Sequence, residues 1–143
     1  MMEATLSPAA TPGRRLRRLL WAAPAAGLVS ALLNAGLYYG ATAAGWLAPN
    51  LLTPSGDRIT VVPVMLASLL PALAAGILLA LLLRFTRRPV TIFRVVGVVF
   101  LLVSLMGPLN TPGIDAHSAQ VLNLMHLVAA GAILYLLPRW SRA

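Results

Sequence analysis

Four long apolar blocks, at about 19–44, 61–83, 92–109 and 118–137, alternate with short polar stretches along the chain. Apolar residues fill each block instead of recurring as an amphipathic stripe. A hydrocarbon core about 30 Å thick, crossed at about 1.5 Å per residue, needs a block of roughly this length, so each predicts a transmembrane helix. The third block is strictly apolar only from Val95 and needs Ile92 to Arg94 to complete the crossing, with the Arg94 guanidinium reaching back to the headgroups.

The separators carry the residues that interrupt helices. Residues 45–60 contain Pro49, Pro54, Gly56 and Asp57, with Trp46 where an interfacial indole would sit; residues 107–117 contain two prolines and two glycines. Between them, 84–94 is a short basic connection, and Pro138, two arginines and Trp140 close the last block. Pro24 lies near the start of the first helix, and Pro71 should kink the second, since proline removes a backbone donor and crowds the preceding turn. Gly36 and Gly40 form a small-xxx-small pair suited to close helix approach, within the subunit or at a dimer face. Residues 1–13 are small, polar and proline-containing and predict a flexible tail. A secretory signal peptide is the rival for the first block, but its apolar run exceeds the usual 7–15 residues of such a segment.

Composition strengthens this picture. The 143 residues are 59% hydrophobic and 10% charged, with a mean hydropathy of +0.87; a soluble domain has roughly 45–50% apolar and about 25% charged residues. The expected fold is therefore all-α: a polytopic membrane protein with four transmembrane helices in one bundle, residues 14–143. With no cysteine there is no disulfide or thiolate metal site. The net charge of +8 would suggest nucleic acid in a soluble protein. Here it is all arginine, placed at the ends of apolar blocks, and no nucleic-acid partner is expected.

Arginine placement sets orientation, because positive residues in short loops stay on the cytoplasmic side. Arg14, Arg15, Arg17 and Arg18, then Arg84, Arg87, Arg88 and Arg94, then Arg139 and Arg142 fall on one side of a four-span threading; Arg58 falls on the other with Asp57 and Asp115. Both termini are expected on the cytoplasmic side. The arginine clusters read first as topology determinants and secondly as contacts for lipid headgroups.

Few polar residues lie within the spans: Ser30 and Asn34, Ser68, Ser104, then Gln120, Asn123 and His126. None is acidic, which counts against proton-coupled antiport through a membrane carboxylate. Gln120, Asn123 and His126 are spaced three apart and form a slowly turning stripe on one helix side. Counted from the inner boundary, His126 and Asn34 both lie roughly 20 Å deep, with Ser68 near the same level. Asn34, Ser68, Asn123 and His126 thus form the expected polar layer or ligand site, with the imidazole bonded to Asn34 or Ser68 on a facing helix. The plainer interpretation is interhelical glue. One intramembrane histidine supplies a single ligand, so no metal site and no cofactor are expected. No catalytic triad, phosphate loop or carboxylate pair is present.

The segments "RRLLWAA", Asn34, "VPVMLASLLPALAAGILLALLLRFTRRP" followed by Phe93, then Ser104, Pro108 and "MHLVAA" occur in an order that resembles a family of small bacterial membrane proteins of unknown function, mainly from high-GC lineages. The resemblance covers about residues 14–138. It implies four spans, in the inner membrane of a bacterium, and supplies no activity to carry over. The expected role is non-enzymatic, a structural or accessory subunit of a membrane assembly. Its partners would be the lipid bilayer and either further copies of the chain or a larger membrane complex. The alternatives are a small transporter or channel-like protein built on the polar layer, and a haem or other cofactor protein using His126.

Overall fold

The structure, a computed structural model, describes residues 12–52, 56–111 and 113–142. Four helices follow one another: α1 Pro12–Ala43, α2 Val61–Phe85, α3 Pro89–Leu109 and α4 Ala116–Arg142. All four are long and apolar enough to cross a membrane. The expected tail at 1–13 lies almost wholly outside the described residues.

Helix ends differ from the sequence expectation for local chemical reasons. The arginines at 14–18 are helical, within α1, and α3 begins at Pro89; proline suits a first helical position because its missing N–H would be unpaired there anyway. At the far end of α3 the helix runs through Pro108, and Asn110 stops it: its backbone N and side-chain Nδ2 both donate to the Met106 carbonyl, at 3.0 and 2.8 Å. Helix α4 starts after Asp115, which accepts from the Ser118 backbone N at 2.9 Å as an N-cap does. It continues through Pro138 to Arg142, past the expected break. Ser141 Oγ and Arg142 Nε donate to the Pro138 carbonyl at 3.0 and 3.2 Å, supplying side-chain donors to the last turn.

Two cores lie along the bundle. Leu19, Ala23, Ala72, Leu79, Phe93, Ile133 and Leu137 form one, with Trp140 against it and Trp21 stacked on Trp140 at 5.9 Å. Ala41, Leu47, Val64, Val121 and Met125 form the other. The first core joins the start of α1, the end of α2, the start of α3 and the end of α4, so all the arginine-bearing segments named above except Arg58 gather at one end of the bundle. At the other end residues 47–48 and 59 pack back onto the helices: Leu47 is buried, Ala48 N donates to Ser118 Oγ at 3.0 Å, and Tyr38 Oη donates to the Ile59 carbonyl at 3.3 Å.

Small residues set the closest crossing. On α1, Ala23 and Gly27 face Ala72 and Gly76 of α2; a Cβ on Gly27 would lie 2.7 Å from Leu69 Cδ1 and 3.0 Å from Ala72 Cβ, and one on Gly76 would strike Ala23. Gly36 and Gly40, the pair the sequence singles out, have nothing within 4 Å of such an atom and face out of the bundle. Their expected packing role inside the subunit is therefore taken by Gly27 and Gly76. Helix α1 packs on α2 and α4, whereas α3 packs on α2 and α4 and leaves α1 untouched. In the most apolar window 44% of α1 is buried against 6% of α3, so α3 is a peripheral wall.

Candidate functional site

Asn34 is held between three helices. Its Nδ2 donates to Ser68 Oγ of α2 at 2.9 Å and to the Met125 carbonyl of α4 at 3.1 Å, while Ser68 Oγ passes its own proton to the Val64 carbonyl at 2.9 Å. Asn34 is 3% exposed and Ser68 1%. The cluster sits between the two apolar cores and pins α1 to both of its neighbours. Asn34 Oδ1, and Ser30 Oγ one turn earlier, are buried without a hydrogen-bond partner.

His126 does not join this cluster. Its Nδ1 lies 2.7 Å from the Leu122 carbonyl of its own helix, so Nδ1–H donates there and the ring points elsewhere. The level is as expected but the azimuth is not: Met125 faces Asn34, and the next residue along a helix is turned by about 100°. A spacing of three drifts by about 60° at each step, which separates the stripe. Gln120 is exposed, Asn123 is half-buried with Oδ1 shut away from solvent and unpaired, and His126 looks toward α2 and α3. The four residues expected to share one layer thus divide into a bonded pair, Asn34 and Ser68, and two side chains held apart from it.

His126 lines a half-open cavity of about 380 Å³ between α2, α3 and α4. Alanines of α2 and α4, with Gly97 of α3, keep those helices from filling the space. Ser104, the other polar side chain on its wall, donates to the Leu101 carbonyl at 2.7 Å. Sequence reasoning noted Ser104 as polar but gave it no site. The signal that would have found the cavity is the run of alanines at 67, 74 and 75 against those at 129 and 130.

The arginine end forms a second hollow, about 610 Å³, lined by Gly13, Arg14, Arg17, Arg18 and Trp21. Arg15 Nε and Arg18 Nη1 are buried without a hydrogen-bond partner. Arg84, Arg87, Arg88 and Arg139 are exposed at the same end; Arg139 donates to Tyr135 Oη at 3.1 Å and lies over that ring. Among the described residues no three His, Asp or Glu side chains cluster to hold a metal ion.

Four apolar helices of spanning length, three of them joined at their centre by a buried amide and hydroxyl, define a multi-pass membrane protein. The chain belongs to a family of unknown function, DUF6069, whose sequence pattern matches residues 12–143. No curated protein and no solved structure matches it.

Proposed function

We propose that the chain is a non-enzymatic structural or accessory subunit of a membrane assembly in a bacterial inner membrane, with both termini in the cytoplasm. The observation that carries this reading is the burial of Asn34 and Ser68 at the bundle centre. A transporter or channel built on Asn34 and Ser68 would need water or substrate at those side chains, and both are closed off by helix packing. The peripheral position of α3 supports association as well: Val99, Phe100, Leu102, Val103 and Met106 are all exposed, an apolar face available to lipid or to a neighbouring membrane helix. The arginines at the ends of α1, α2 and α4 would rest among anionic headgroups.

Gentle extraction from the native membrane, followed by identification of what accompanies the chain, tests the proposal. A stoichiometric companion or a defined oligomer is expected. A lone monomer in mild detergent would overturn it. The same preparation examines the haem alternative: a Soret band that disappears in His126→Ala would replace the accessory reading with a cofactor-binding one.

A further inference from the structure

The half-open cavity beside His126 is apolar apart from a narrow polar edge. Most of its wall is alanine, glycine, proline, leucine or valine, with Phe100 supplying aromatic surface while Phe93, itself buried in the core, only backs the wall. Its polar edge consists of two groups that have already given their protons away. In the neutral imidazole, donation from Nδ1 to Leu122 leaves the lone pair on Nε2, which has no hydrogen bond among the described residues; Ser104 donates to Leu101, which leaves its oxygen to accept. The hollow therefore offers acceptors and no donor. An acyl chain would fill the volume but leave Nε2 unpaired in apolar surroundings, an arrangement that costs free energy.

We infer that this cavity is a binding site for a neutral, lipophilic hydroxy-aromatic molecule of the phenol or quinol class, its ring against Phe100 and the alanines of α2 and α4 and its hydroxyl donating to His126 Nε2. The volume falls within the roughly 300–1,000 Å³ usual for small-molecule pockets. Access fits the same class. Ala67 and Ala74 on the rim are exposed, and α3 buries only Phe93 and Pro108, so the wall facing the lipid is the one least fixed to the bundle. A ligand already dissolved in the bilayer can enter there without crossing the Asn34 cluster. The site stands independently of the accessory-subunit reading, since a subunit and a solitary protein could both carry it.

The full chain in lipid nanodiscs, with its two histidines labelled with ¹⁵N in the ring, provides the test. Titration with 2-naphthol should move the Nε2 resonance of His126 saturably and leave His117 in place. Naphthalene, of like shape but without the hydroxyl, should bind about tenfold more weakly, the loss expected for one hydrogen bond. By naphthol fluorescence, His126→Phe should lower affinity by a similar factor, and Ala130→Leu should abolish binding by filling the cavity. Equal responses to naphthol and naphthalene would mean an apolar void occupied by acyl chains, and would overturn the assignment. So would the absence of any saturable shift. Should His126→Phe fail to fold, the naphthol and naphthalene comparison on the unaltered chain decides alone.

Discussion

Asn34 donates to two helices at once, so removing its side chain breaks links that Ser68 alone does not replace. Interhelical hydrogen bonds in membranes contribute about 0.6–2 kcal/mol. Asn34→Ala should accordingly lower stability by about 1–2 kcal/mol and Ser68→Ala by about 0.6–1 kcal/mol, measured by reversible unfolding in mixed micelles. The double variant should cost less than the sum, because both changes remove the same bond. The depth of this cluster was legible in the sequence: counting residues from the arginine boundary brings Asn34 and Ser68 to one level. The direction of His126 was not. A hydrogen bond to the carbonyl four residues back competes with any partner on a facing helix, and neither depth nor spacing weighs the two.

At the scale of the helix, glycine context decides tolerance. Gly76→Ala drives a methyl into Ala23 on a facing backbone, so it should destabilise by about 1–3 kcal/mol, as overpacking does. Gly36→Ala and Gly40→Ala meet open space and should change stability of the isolated subunit by less than about 1 kcal/mol. Thermal unfolding in detergent separates the pairs. Four apolar blocks were enough to find four helices. Which glycines touch was hidden, since small residues abound in α1 and only the crossing point selects Ala23 and Gly27. Proline misled in the other direction: Pro138 reads as an ending, yet α4 continues past it.

The start of α4 also carries a pH dependence. Hydrogen bonds from the Ser118 hydroxyl and backbone amide hold the Asp115 carboxyl below its ordinary value. A carboxylate with a depressed folded pKa contributes stability that is fully present above the unfolded value, near 3.9, and is lost as pH falls through the lower folded value. Acid titration of stability should therefore show a component below about pH 4 that vanishes in Asp115→Ala. Hydrogen exchange at the amides of 116–119 would locate it. A pH profile identical in the variant would contradict the cap.

For the whole molecule, the arrangement rests on sidedness. The arginines at 14–18, 84–94 and 139–142 share one end of the bundle, while Asp57, Arg58 and Asp115 belong to the connections at the other. That division was fully legible, because charge at span ends follows directly from the order of residues. The loose seating of α3 was not, since its hydropathy is much like that of α2 and only packing tells a wall from a core. The chain has no cysteine, so single cysteines can be placed and labelled without background. In intact cells a membrane-impermeant maleimide should label Asp57→Cys and Asp115→Cys from outside and reach Arg87→Cys only after permeabilisation. Protection of either aspartate position in intact cells, or labelling of Arg87→Cys there, would contradict four crossings with both termini in the cytoplasm.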